Sequence, residues 1–266
     1  MNVLIYALAI ILITVFAFKL HYILGIIFIA LTALYLYYSN YHTIMSGRGN
    51  AEYNNGNPEA ALEYYKKAIT KGRPDYLTRI SYSMMLLRCG EPEKALEEIN
   101  KVLSVINLPI DIKQRAKQVR SIINFKLGDI DEAYEEALEI YEDGYTVSIM
   151  RGLLGLLMII TEKDLDKILN FCKEAYDYDS DNRDIADNYL LALINSKKFE
   201  EAKEISQKLL EKEPQFLEAY YHSAILYKAL GENDKAKTLL EKTSECKTSY
   251  MTTVSEKEVK NLKSSL

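Results

Sequence analysis

Gly56-Asn57-Pro58-Glu59-Ala60-Ala61-Leu62 decides the fold, because the chain repeats it. Gly90-Glu91-Pro92-Glu93-Lys94-Ala95-Leu96 follows, then Gly128-Asp129-Ile130-Asp131-Glu132-Ala133-Tyr134, Lys198-Phe199-Glu200-Glu201-Ala202 and Gly231-Glu232-Asn233-Asp234-Lys235-Ala236. The aligned alanines, Ala61, Ala95, Ala133, Ala202 and Ala236, stand 34, 38, 69 and 34 residues apart. The interval of 69 holds one degenerate copy with Ile168 in the alanine's place, dividing it into 35 and 34. A period of 34 residues with this pattern is that of a helix–turn–helix solenoid.

Each part of the unit has a local reason. The glycine sits just past a helix end, where a left-handed C-cap costs least. Asp, Asn or Pro then opens the next helix, and Glu in its first turn suits the helix dipole. Apolar side chains follow at three- and four-residue spacing, as in Ala61, Tyr65, Ala68 and Ile69, or Ala202, Ile205, Leu209 and Leu210. Alanine belongs where the two helices of a pair cross closely, since a larger group would push the axes apart.

Residues 42–250 resemble tetratricopeptide repeats in six copies, beginning near His42, Tyr76, Gln114, Ile149, Arg183 and Leu217. The family pattern is carried by Gly49, Ala61, Tyr65 and Ala68 in the first copy, Ala202 and Pro214 in the fifth, and Ala224, Tyr227 and Ala236 in the sixth. The third copy departs with a long lead-in, Asn107 to Lys113, the fourth has Lys163 for the turn glycine, and no copy has the family's tryptophan. The resemblance implies an all-α, right-handed superhelix whose first helices line a concave face that binds a protein or peptide. The family's cationic clamp for acidic peptide C-termini is not reproduced: of Ser46, Asn50, Ser81 and Val119, only Asn50 fits. The expected lining of the concave face is Leu77, Ile80, Met84 and Leu87 in the second copy, Ile122 and Phe125 in the third, and Leu153 and Leu157 in the fourth. The fifth copy's first helix is polar at Asp184 and Asp187 and is expected to contribute nothing. Packing in the core is the competing role for each of the eight.

Residues 1–40 belong to another environment, with Lys19 the sole charged side chain. Asn2–Phe18 and Tyr22–Tyr38 are apolar runs of 17 residues, each about 26 Å long as a helix. That is at the short end for a hydrocarbon core of about 30 Å. One continuous helix would place Lys19 near mid-membrane at about 2.5–3.5 kcal/mol, which a turn at Lys19-Leu20-His21 avoids. The pattern predicts a two-span transmembrane hairpin over 1–40, with helices about 2–18 and 22–38. The tyrosines Tyr35, Tyr37, Tyr38 and Tyr41 suit an interfacial exit. A signal peptide would want a basic n-region, and Met1-Asn2-Val3-Leu4 has none. Arg48, Lys66 and Lys67 lean the repeats towards the cytoplasm. Residues 251–266 read as a polar tail or a capping helix using Val254, Val259 and Leu262.

Composition narrows the function. A net charge of −5 argues against bulk nucleic-acid binding. Three cysteines, Cys89, Cys172 and Cys246, odd in number and without close spacing, argue against a disulfide framework or a cysteine zinc site, and the three histidines suggest no metal centre. Asp177-Tyr178-Asp179-Ser180-Asp181-Asn182 begins like a calcium loop but has Asn188 where the bidentate Glu belongs. No catalytic spacing, phosphate loop or cofactor motif is present, so the chain reads as a non-enzyme without a cofactor. Two functions compete: a membrane-anchored scaffold or adaptor recruiting a partner through the concave face, or a dedicated non-catalytic subunit of a membrane complex for secretion, envelope assembly or transport.

Overall fold

The computed structural model describes residues 2–71 and 74–266. Among the described residues every regular element is helical and no strand occurs. The chain forms two compact units, residues 1–82 and 83–266.

The first unit holds α1 (Asn2–Leu20), α2 (Tyr22–Ser39), α3 (Tyr41–Asn54), α4 (Pro58–Thr70) and the start of α5 (Tyr76–Arg88). The expected turn contracts to a single residue. His21 is extended (φ −166°, ψ 135°), and its Nδ1 accepts a hydrogen bond from the Ile23 amide, capping α2. Lys19 lies in the last turn of α1, where a cation meets the helix dipole favourably. The Phe18 ring lies over Gly25, so close that a Cβ there would sit 2.5 Å from ring carbons. Gly25 is the only buried residue of α2 among those described. Of the two expected spans, α2 alone is long and apolar enough to cross a membrane, and the described apolar part of α1, Ile5–Leu20, is shorter.

The pair α3–α4 follows the repeat pattern closely. Gly56 turns the chain at φ 83°, Pro58 opens α4, and Glu59 lies in its first turn. Gly49 permits the crossing: a Cβ there would stand 2.6 Å from the Tyr65 ring and 3.1 Å from the Ala61 carbonyl oxygen. The Tyr65 hydroxyl donates to Asn50 Oδ1 at 2.8 Å, which spends the one residue that fitted the peptide clamp.

The second unit continues through α6 (Pro92–Leu103), α7 (Ile110–Leu127), α8 (Ile130–Glu142), α9 (Ser148–Thr161), α10 (Leu165–Tyr178), α11 (Arg183–Asn195), α12 (Phe199–Glu211), α13 (Leu217–Ala229), α14 (Asn233–Lys242) and α15 (Glu256–Ser264). Ala95, Ala133, Ala202 and Ala236 are fully buried, as is Ala61 in the first unit, and Ile168 takes the alanine's place in the fourth pair with 2% exposure. The close crossings also satisfy polar groups. Ser83 Oγ donates to the Ala95 carbonyl and Ser121 Oγ to the Ala133 carbonyl. Where the fifth copy lacks a turn glycine, Lys197 takes the left-handed conformation at φ 57°, a strain of about 1–2 kcal/mol. The fourth copy uses another turn: Glu162 is extended, and the Asp164 side chain caps α10.

The core of this unit runs through α8 to α13. Met150, Leu154 and Leu157 from α9 meet Ile140, Ile168, Leu190 and Leu193 there. At the far end, α15 opens with a capping box between Ser255 and Glu258. Its Val259 and Leu262 pack on a cluster that includes Tyr227, Leu239 and Leu240, the cover that a terminal repeat requires. The run resembling a calcium loop is the end of α10 and the turn after it: Asn182 caps α11, and Asp181 pairs with Lys212 at 2.8 Å.

Candidate partner-binding groove

The first helices of the third to sixth repeats, α7, α9, α11 and α13, border a cavity of about 320 Å³. Its apolar wall comes from Ile122 and Phe125 of α7, Ile149, Leu153 and Leu156 of α9, and Phe216 before α13. These side chains are available because each first helix buries another stripe in the core. In α9, Leu154 and Leu157 point inward at 1% and 0% exposure, whereas Ile149 remains 64% exposed.

The opposite side is polar and built from α11 and α13. Asp187 and His222 stand 3.0 Å apart, with little of either side chain exposed. Burial pushes the His222 ring towards neutrality, but Asp187, helped by Glu218 and Glu258, outweighs it and holds the imidazole above its ordinary value. Asp184 shifts upward as well: its carboxyl loses hydration, then meets repulsion from Asp187 and Glu218 that Arg183 only partly offsets. Asn188 Nδ2 donates to the Gly152 carbonyl at 2.8 Å, tying α11 to α9. Lys126 closes the α7 end, and burial lowers its ammonium below the usual range.

The sequence placed some of these residues and missed others. Ile122, Phe125 and Leu153 line the cavity. Leu87 and Leu157 are corrected: both are fully buried and serve the interior, as does Ile80 at 4% exposure. Leu77 is exposed and Met84 half-buried, and neither lines this cavity. The expectation that α11 stays outside the groove fails, since Asp184, Asp187 and Asn188 all lie in it. His222, which the sequence did not single out, is the partner of Asp187. One signal was present: Asp187 and His222 are about one repeat period apart, so equivalent positions on neighbouring first helices bring them together.

Family models described as tetratricopeptide repeat match residues 43–73 and 193–249. The first matched segment takes in most of α3 and all of α4, and the second runs from the end of α11 beyond α14. Among solved structures, PilF of Pseudomonas aeruginosa is similar at 17% identity and a TM-score of 0.58, over 76% of this chain and 89% of that one. A tetratricopeptide repeat protein from Parabacteroides merdae is similar at 13% identity and a TM-score of 0.50, over 84% of this chain and 97% of that one. At these identities the likeness is one of fold. Among curated proteins none matches.

Proposed function

We propose that this protein is a membrane-anchored adaptor, held in a bilayer by a two-span hairpin over residues 1–40 and recruiting a protein partner through the groove of α7, α9, α11 and α13. The observation that carries the anchor is α2, apolar along its length with only 6% of its spanning window buried. Such a helix needs either a protein interior or lipid around it. In the hairpin reading, α1 crosses beside α2 and His21 turns at the headgroups, so both ends of the hairpin share one face. Arg48, Lys66 and Lys67 favour the cytoplasmic face for the repeats, in a domain extending over about 42–250 with α15 as its cap.

The groove supports recruitment because it joins an apolar wall to convergent polar groups. A photo-crosslinking residue at Ile149 or Leu156, introduced into the full chain in its native membrane, tests the reading. A discrete crosslinked protein is expected from these positions and not from Glu135, an exposed residue of α8 outside the groove. Equal labelling from Glu135, or none from the groove, would remove the adaptor function. Orientation is tested separately: protease added to right-side-out vesicles should leave the repeats uncut until lysis.

A further inference from the structure

One wall of the groove is supplied by the chain's own segment after α14. After the short turn that follows α14, the chain leaves Thr243, which is buried, and does not reach another buried residue until Val254. Between these two anchors, residues 247–253 form a strap. Its tip is a turn closed by the Thr252 amide on the Ser249 carbonyl and the Ser249 amide on Thr252 Oγ1, each at 3.0 Å.

The strap reaches the α7 side of the groove and returns. Lys126 Nζ donates to the Thr252 carbonyl at 3.1 Å and lies 5.2 Å from the centre of the Tyr250 ring. That ring also rests against Gly90, at the end of α5. On the return, the Thr253 amide and hydroxyl both donate to Glu218 Oε1. Lys247, Met251, Thr252 and Thr253 contribute directly to the cavity lining. The hold is light, because residues 247–250 and Thr253 are exposed and Met251 and Thr252 only half-buried. A segment with few buried contacts, fixed at both ends, opens at small cost.

Opening it would leave a defined chemistry. Glu218 would lose its two donors and join Asp184 as an acidic pair beside the apolar wall. Lys126, which holds the carbonyl of the same Thr252–Thr253 peptide group, would be free to donate to a new carbonyl. We propose that the strap is an internal competitor for the groove, and that the external ligand is a peptide segment carrying a lysine or arginine between apolar side chains. The cation faces Asp184 and Glu218, the apolar side chains meet Phe125, Leu153 and Leu156, and a backbone carbonyl replaces that of Thr252 on Lys126. This inference rests on the groove being the recruiting surface.

The test uses the full chain in zwitterionic lipid nanodiscs, with empty nanodiscs as the baseline. The probes are a fluorescein-labelled Leu-Lys-Leu-Lys-Leu peptide and its Leu-Glu-Leu-Glu-Leu counterpart. Two variants loosen the strap: Tyr250→Ala, which removes the ring from Lys126, and Thr253→Pro, which removes the amide donated to Glu218. Both are checked by thermal melt, and Tyr250→Ala alone suffices if the proline disturbs Val254. The lysine peptide should bind the loosened chain about tenfold more tightly than wild type, the factor for a groove open about one-tenth of the time. Asp184→Asn added to the loosened chain should weaken that binding, and the glutamate peptide should bind neither form. Equal affinity for wild-type and loosened chains would overturn the competitor, and equal binding of the two peptides would overturn the ligand chemistry. A partner crosslinked from Ile149 alongside either negative result would leave the adaptor standing without this inference.

Discussion

Two helices of this chain, α2 and α9, are apolar nearly end to end, and they solve the same problem in opposite ways. In α9, Met150, Gly152, Leu153, Leu154, Gly155, Leu157 and Met158 are buried. The helix is enclosed by neighbouring repeats, and Ile149, Leu153 and Leu156 form its part of the groove wall. In α2 only Gly25 is buried, and side chains such as Leu31 and Tyr35 stand 59% and 70% exposed. Hydropathy does not distinguish the two; what differs is whether the chain itself supplies the apolar surroundings. For α2 it does not, and that difference is what the proposed bilayer anchor rests on.

Substitutions sharpen this contrast, beginning with the largest effect. Leu157→Ser should cost several kcal/mol, about 2–5 from the cavity with a further penalty for an unpaired hydroxyl, and lower the melting temperature of the repeats. The equivalent Leu31→Ser in α2 should leave that melt unchanged. Equal destabilisation by the two, measured by circular dichroism, would erase the distinction. Gly49→Ala, where the Tyr65 ring and the Ala61 carbonyl leave no space for a Cβ, should cost about 1–3 kcal/mol. Ala202→Trp should do the same at the fifth crossing. An unchanged melt for both would mean that these are not tight helix contacts.

A smaller effect comes from the groove's polar side. His222 is held above its ordinary value by Asp187, so its contribution to stability is fully present below the usual histidine pKa of about 6.5. It is lost as pH rises through the higher folded value. Melts of wild type and His222→Gln across this range should converge on the alkaline side. A constant difference would show that the charge on the pair does not matter. Smallest of all, Ile149→Ser should change stability by no more than about 0.5 kcal/mol, because the side chain is already open. A large loss would move Ile149 from the groove wall into the core.

Much of the fold was legible because the repeat is punctuated by residues with narrow physical roles. Gly56, Gly90, Gly128 and Gly231 mark left-handed turns, and the alanines mark crossings. The groove was less legible. First helices carry apolar side chains on more than one face, and spacing alone does not say which face Leu87 or Leu157 presents. Polar residues misled in the other direction: Asp184 and Asp187 argued against a contribution from α11, yet they line the groove, where α13 brings His222 against Asp187. The strap was invisible for a different reason. Lys247–Thr253 has no periodicity, and its place is set by Thr243, Val254 and α15 on either side.

The central claim, that α2 meets lipid while α9 meets protein, can be measured with a carbene-generating reagent dissolved in the bilayer. Photolysis of native membranes followed by peptide mapping should place the label within residues 2–39 and leave 148–161 unlabelled. Label on the α9 peptide, or none on the α2 peptide, would contradict the account.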